Sequence, residues 1–565
     1  MRPELLKVSY WIATVAAVVL TASVWFRLAV PSGPSARTES DLTTAALTPA
    51  EAPVAPPSAA LLAVRTMLPQ RVTRAEADDR AAMTEFYGAT GAKLLWMTES
   101  GFTAKADAAM SEIRKADDWG LRAADYALPQ LPPGDLSPAA QAEAEIALTL
   151  AVLGYARDAR GGRIRNPSRV SKQFDRTPPA RPPKLVLADI AAADAPDAYL
   201  RGLHPTHEQF VKLRALLVKL RHGDAGADAI AYGANLQGAV AGLQSPPRAA
   251  VSPQTAADID RILVNMERWR WMPGDLGTVH VWNNVPEFMT RVFKKGEVIN
   301  SDRIIAGQPA WPTPSFSADM KTIVFHPSWG VPDGIKRKEL APVLRRSSSG
   351  GLVGLFTGAP SSRAVLEAHK LQVYYNGRPI DPNQVDWGSV NISAYDFRQP
   401  PGPANVLGAV KFLFPNKHDV YMHDTPERGL FQREFRGLSH GCMRVGDPGR
   451  LAEVLLAEDK GWSKEKVQSL FRGGTTEVKL DTHIPVHNTY FTAMVDYKGN
   501  LRTFGDLYGL DARLGQALFK RNVRFQTRSY DAEVAAIQQD ERRRRPPTPS
   551  GAPTLADVFS DIFSP

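Results

Sequence analysis

The sequence predicts an α+β multidomain chain: a helical N-terminal region, then a mainly β domain interrupted by an insertion. Two observations predict this. Up to about residue 253, apolar positions recur at helical spacing between capping residues and proline or glycine stops. After Glu267-Arg-Trp-Arg-Trp-Met-Pro273 the pattern changes to short β-like runs parted by Gly, Pro and Asn. A third, the length of 565 residues, calls for two or three domains.

Residues 1–30 read as a membrane anchor. Positions 8–26 are nineteen uncharged, mostly apolar residues, about the length of a bilayer-spanning helix. Arg2 and Lys7 precede the span, which favours an N-terminus inside and the bulk of the chain outside. A cleaved leader has a shorter apolar core and a small-x-small site, and Trp25-Phe26-Arg27 stands where that site would fall. An uncleaved, single-pass anchor is expected. Residues 31–60, rich in Pro, Ala, Ser and Thr, read as a linker with a coil reach of roughly 30 Å.

Residues 61–252 read as a helical domain. Thr73-x-x-Glu76 and Thr206-x-x-Gln209 have capping-box form. Ser137-Pro138 and Ser252-Pro253 pair a cap with a first-turn proline. The helix from Pro138 should present Ile146, Leu150 and Leu153 on one face and stop at Gly161-Gly162. No chemistry is visible here, and a supporting role is expected.

Residues 253–530 read as the second, mainly β domain. After a helix following Ser252, β-like runs fall at 279–281, 297–299, 323–325, 371–375, 390–392, 409–414 and 420–422. An insertion at about 333–370, with Ser347-Ser-Ser-Gly-Gly351 as a hinge, is expected to act as a lid. Residues 531–565 form a basic, Pro-rich tail. Leu555, Val558, Phe559, Ile562 and Phe563 fall on one face of a short helix capped by Thr554, suited to docking on a partner.

Composition narrows the function. The formal charge of +9 suits an anionic partner. No zinc-finger spacing, RNA-binding aromatic motif or Walker loop occurs, which argues against nucleic acid. A single cysteine, Cys442, excludes an internal disulfide framework.

That cysteine lies in Leu438-Ser-His-Gly-Cys-Met-Arg-Val445, downstream of Tyr421-Met-His-Asp-Thr-Pro426. A thiol reacts as its thiolate, and imidazole is the usual activating group. If the run from Ser439 to Arg444 is extended, His440, Cys442 and Arg444 share one face. Gly441 then allows close backbone approach, and the amides near Gly441 and Cys442 could hold an oxyanion. Asp424 is a poor candidate to orient His423, because strand neighbours point to opposite faces; a backbone carbonyl near Thr425 is the alternative. The rival is zinc on His423, His440 and Cys442. A glycine before the cysteine suits a nucleophile better.

These two motifs resemble those of the L,D-transpeptidase family of cell-wall enzymes. The resemblance runs from about residue 262 to 518, through Asn265-Met-Glu-Arg-Trp-Arg-Trp-Met272, Asn284-Val-Pro-Glu-Phe288, Pro327-Ser-Trp-Gly-Val-Pro332, Phe397-Arg-Gln-Pro-Pro-Gly402, Asn405-Val-Leu-Gly408 and Val410-Lys-Phe-Leu-Phe-Pro-Asn416. Leu94-Leu-Trp96, Trp119-Gly-Leu121 and Tyr155-Ala-Arg-Asp-Ala-Arg-Gly161 are similar to the helical scaffold domain of the larger members. The resemblance implies a helical scaffold followed by a mainly β catalytic domain with a lid. It implies a Cys442 thioester on a peptidoglycan tetrapeptide stem, release of D-alanine and 3→3 cross-linking. Cys442 would be the nucleophile and His423 the general base. His440 and Gly441 would support the site, Arg444 would orient it or hold a substrate carboxylate, and Tyr421 and Ser439 would lie along the substrate. No cofactor or metal is implied. The expected partners are peptidoglycan, the inner membrane through the N-terminal helix, and a wall-synthesis protein at the tail, with the catalytic domain in the periplasm. The competing functions are a non-catalytic wall-binding scaffold, and an L,D-carboxypeptidase using the same acyl-enzyme. Many large relatives carry a small peptidoglycan-binding module where this chain has only Gly/Ala-rich sequence, between Arg221 and Pro253.

Overall fold

The structure is a computed structural model, and it describes residues 56–223, 253–348, 361–523 and 525, with isolated positions at 532, 535 and 539. The expected anchor at 8–26, nearly all of the linker, the Gly/Ala-rich 224–252, part of the insertion with its Gly350-Gly351, and the tail helix lie outside the described residues. Among the described residues no helix is long and apolar enough to cross a membrane.

The N-terminal region is helical: α1 Ala59–Arg71, α2 Ala77–Gly88, α3 Ala104–Arg114, α4 Pro138–Gly161, α5 Pro183–Ala192, α6 Pro196–Gly202 and α7 Glu208–His222. The long α4 is its axis. Ser137 Oγ accepts the Ala140 N–H, Pro138 occupies the first turn, and Gly162 ends the helix at φ 82°. Ile146 and Leu153 are buried, with Leu150 half-buried beside them. Glu145, also on α4, receives Leu95 N at 2.6 Å, Trp96 N at 2.9 Å and Tyr87 Oη–H at 2.8 Å. Trp96 Nε1 donates to Thr149 at 2.9 Å, so the Leu94–Trp96 stretch is stitched to the axis by polar bonds inside an apolar core.

Both expected capping boxes fail. Thr73 Oγ1 donates back to Gln70 O, and α2 is preceded by Glu76 with no side-chain cap. Gln209 is taken by a long-range partner: it exchanges two hydrogen bonds with the Val495 backbone, at 2.9 and 3.0 Å. A strand edge needing two partners outcompeted the local cap.

Helix α8, Pro253–Arg270, joins the two regions. Its last two turns and the residues after them are the Asn265–Met272 stretch, and nearly every side chain there is spent on the joint. Asn265 bonds Thr492, Glu267 accepts Ile164 N at 2.8 Å, Arg268 pairs with Asp511 at 2.6 Å, and Arg270 donates to Trp119 O at 2.5 Å. Trp269 stacks on Phe491 with centroids 4.4 Å apart. A strap, Gln173 to Arg176, also crosses onto the β region, with Arg176 donating to Phe316 O and Asn488 O.

Among the described residues the β region is built on a nine-stranded sheet, with a separate two-stranded pair of Ala493–Val495 and Leu501–Thr503; the strands of the large sheet are β1 Val279–Asn284, β2 Met289–Lys294, β3 Glu297–Gly307, β4 Phe316–Phe325, β5 Val410–Leu413, β6 Met422–His423, β7 Gly437–Ser439, β8 Met443–Val445 and β9 Thr476–Thr489. The order is β7-β3-β8-β6-β5-β4-β9-β1-β2, and β2 pairs back onto β3, so the sheet closes on itself. Val281, Phe325, Phe412, Met422, Met443 and Val486 fill the interior. The run at 390–392 is not a strand. Asn391 accepts Ser393 N, turning Ile392–Ala394 into a short helical turn, and the strand starts at Tyr395. The sequence reading omits β9, although it pairs with both β4 and β1. Pro485 cannot donate to a ladder, yet it lies within β9 opposite Asp319, just beyond a register shift between Lys479 and Ile484.

The insertion is a folded body wider than 333–370. Strands Trp329–Gly330, Tyr395–Gln399, Gln372–Tyr375 and Arg378–Pro379 form a separate sheet, with a core that runs from Trp329 to Leu407. Its helical turn Lys336–Leu340 faces the site described next.

Candidate active site

Cys442 sits in a bend between β7 and β8. The run from Ser439 to Arg444 is therefore not one extended face, as the sequence reading supposed. β7 pairs with β3 in parallel and β8 pairs with β3 antiparallel. The chain crosses the end of β3 at Gly441, whose φ is +106°. The crossing is tight: a Cβ on Gly307 would meet Trp311 O at 2.0 Å and Gly441 Cα at 3.0 Å. Glycine is required at both positions, by contact at Gly307 and by backbone angle at Gly441.

The bend is held by backbone-directed hydroxyls. Ser439 Oγ donates to Cys442 O at 2.5 Å and accepts Gly441 N at 3.3 Å. Thr313 Oγ1 donates to Gly441 O at 2.7 Å and accepts Gly307 N at 2.9 Å. Tyr508 completes the support, donating to Gly307 O at 2.6 Å and accepting Thr313 N at 3.1 Å. Ser439 was expected along the substrate; it is buried, and its hydroxyl shapes the turn. The Gly441 N–H is likewise used inside the turn. Among the described residues no acceptor takes the Cys442 N–H, so that amide is the donor left for an oxyanion.

Strand β6 runs parallel to β8, with Met422 opposite Met443 and His423 opposite Arg444. This register brings Tyr421 beside Cys442. The Tyr421 N–H and hydroxyl both act to lower the thiol's pKa, and the phenol ring lies 5.7 Å from the His423 ring. Sγ–H donates to Asp419 O at 3.6 Å. Asp419 is held at φ +53° in a turn that Asn416 builds with its side chain. The half-buried thiol is pushed up to about 11 by burial, which outweighs the two donors from Tyr421.

His423 is buried at the end of β6, and its Nδ1 lies 2.5 Å from the Asp424 carbonyl. A carbonyl only accepts, so Nδ1 carries the proton and Nε2 is the basic nitrogen. Burial first, then the Arg444 charge, press the imidazole down to about 3. The Asp424 carboxylate takes no part in orienting it. That group accepts Ala409 N at 2.8 Å and Thr425 N at 2.6 Å and pairs with Arg428. Arg444 is buried and pairs with Glu427. His440 turns the other way, with Nε2 on Glu339 Oε1 at 2.8 Å and its ring beside Trp311. The three zinc candidates thus do not converge, and among the described residues no cluster of three or more such ligands occurs.

Two consequences follow from the neutral Cys442 thiol and the neutral His423 imidazole. Alkylation of Cys442 by iodoacetamide should accelerate about tenfold per pH unit from pH 7 towards 10. A rate plateau below pH 7 would mean a resting thiolate–imidazolium pair and would overturn this assignment. His423 also favours folding above its ordinary value near 6.5, and that contribution is lost as pH falls from there towards 3, because the unfolded chain takes the proton first.

Sequence reasoning missed Thr313, Tyr508, Glu339 and the Asp419 carbonyl. Only Asp419 had a nearby signal, the Asn416 turn residue before Tyr421. Glu339 and Thr313 meet the Cys442 loop from 101 and 128 residues away, and Tyr508 supports it only through Gly307 and Thr313.

The site thus holds a lone thiol in a glycine-strained bend, with a carbonyl-anchored imidazole on the adjoining strand, groups of the kind that nucleophilic catalysis uses. Comparison with known proteins specifies the class. Residues 278–468 match the L,D-transpeptidase catalytic domain, and residues 81–217 match the scaffold domain. A Haemophilus influenzae protein named "Putative L,D-transpeptidase" is 28% identical over 278 residues, which cover 49% of this chain and 53% of that protein. The matched region thus spans about half the length of this curated relative. The chain carries an L,D-transpeptidase catalytic domain preceded by a scaffold domain.

Proposed function

We propose that this protein cross-links peptidoglycan through a Cys442 thioester. His423 Nε2 takes the thiol proton as Sγ attacks the carbonyl of the third residue of a tetrapeptide stem. The Cys442 N–H faces the oxyanion. Collapse breaks the bond to the fourth residue, and His423 returns the proton to the departing D-alanine amine. A side-chain amine of a second stem then attacks the thioester, His423 accepts its proton, and the thiol is regenerated with a 3→3 link formed. The observation that carries this reading is the His423 tautomer: Nδ1–H is anchored on Asp424 O, so a basic Nε2 is available at neutral pH on the strand beside Cys442.

In this reading the insertion closes over the stem, with Glu339 and His440 joining it to the nucleophile loop. Residues 1–30 anchor the chain in the inner membrane and place the catalytic domain in the periplasm. The support is the uncharged span at 8–26 behind Arg2 and Lys7. The tail helix would dock on a wall-synthesis partner through its apolar face.

Tetrapeptide muropeptides incubated with the pure protein should yield D-alanine and 3→3-linked dimers in equal amounts. D-alanine without dimers would make the protein a hydrolase of the same acyl-enzyme. Neither product would leave a wall-binding role.

A further inference from the structure

A cavity of about 460 Å³ lies in the helical region, between the end of α4, the start of α5, the turn from α6 to α7 and Gly274 beyond α8. It shares no lining residue with the Cys442 site. Its polar lining includes Arg160, Arg181, Thr206 and His207, and no carboxylate lines it. Arg181 is already neutralised by Asp189 at 2.5 Å. Arg160 is not. In the stretch from Tyr155 to Gly161, Arg157 is paired with Asp79, Asp158 with Arg165, and Tyr155 with His204. Arg160 alone of these polar side chains has no acceptor among the described residues.

The site leaves room for that guanidinium. A Cβ on Gly274 would sit 3.0 Å from Arg160 Nη2. His207 Nε2–H donates to Pro273 O at 2.9 Å, and its ring lies against Trp269. Burial and the Arg160 charge keep this imidazole neutral. The cavity therefore holds one uncompensated positive charge, borne on a planar fork that matches a carboxylate. Pro179, Ala180, Pro182, Leu203 and Pro205 supply apolar walls suited to short aliphatic side chains. One net charge fits a monoanion better than a phosphate dianion, and the volume lies within the usual range for small-ligand sites.

We propose that this cavity is a second binding site, which holds the carboxylate end of a short peptide on Arg160. That the peptide is a wall stem rests on the transpeptidase reading; the carboxylate class does not.

The test uses the full chain with Cys442 alkylated, so that the first site is blocked. Calorimetry follows N-acetyl-D-alanyl-D-alanine, its C-terminal amide, inorganic phosphate and a tetrapeptide muropeptide. The acid should bind, and both the amide form and Arg160→Gln should weaken binding at least tenfold, with Arg160→Lys in between. Acylation of unblocked Cys442 in Arg160→Gln should match wild type, which reports an intact fold. Gly274→Val, which crowds the guanidinium, gives a second variant and should also weaken binding. Equal affinity in Arg160→Gln and wild type, equal binding of amide and acid, or phosphate bound more tightly than the acid would each overturn the proposal. Arg160-dependent binding of the acid, in a protein that releases no D-alanine, would uphold this site while removing the transpeptidase reading.

Discussion

Cys442→Ala is expected to abolish D-alanine release and the carbapenem adduct, with the thermal transition close to that of wild type. Cys442 is the only cysteine in the chain, so no other thiol can substitute. Structural damage should be small. The thiol's hydrogen bond to Asp419 O is long at 3.6 Å, and the bend is secured by Ser439 and Thr313 acting on backbone carbonyls. Alanine keeps Cβ and both of those bonds. Mass spectrometry after carbapenem exposure should show an adduct on wild type alone. An adduct on Cys442→Ala, or continued D-alanine release, would move the nucleophile elsewhere.

His423→Ala should lower acylation of Cys442 by about 10²–10⁴, the usual cost of losing a general base. His440→Ser should cost much less, because His440 engages Glu339 on the insertion. The same geometry sets a pH profile. With the imidazole pressed down to about 3, kcat/KM for acylation in wild type should stay level as pH falls from 7 through 5, with the acid limb delayed towards 3. A half-maximum near 6.5 would mean that His423 is not buried as described. If His440→Ser proved the more damaging change, the two histidines would exchange roles.

The stretches that place Cys442 and His423 on adjoining elements were legible because the motif residues are local and chemically unusual. Their geometry was less so. The expected shared face of His440, Cys442 and Arg444 assumed a continuous strand, and Gly441 breaks it. The alternative of a backbone carbonyl orienting His423 proved closer than a carboxylate, although the carbonyl belongs to Asp424 itself. Ser439 shows the same limit. Its place beside Cys442 suggested substrate, while its hydroxyl closes the turn from Ser439 to Cys442.

The sequence by itself determined what short-range rules control. The Ser137 cap, the Pro138 first turn and the Gly162 stop delimit α4, because capping and backbone angle act within about one helical turn. The change from helical to β-like patterning beyond α8 followed from side-chain periodicity in the same way. Only the tertiary structure decided what depends on residues far apart in the chain. It turned Gln209 from a cap into a strand partner for Val495, set Pro485 within β9, and brought Thr313 to Gly441 and Tyr508 to Gly307. It also left Arg160 without an acceptor among the described residues while its neighbours in the same motif found partners. The physical reason is competition. A buried polar group takes whichever partner the packed core supplies, and for these side chains that partner, or its absence, is fixed by elements more than one hundred residues apart or by neighbouring helices that meet only in the folded core.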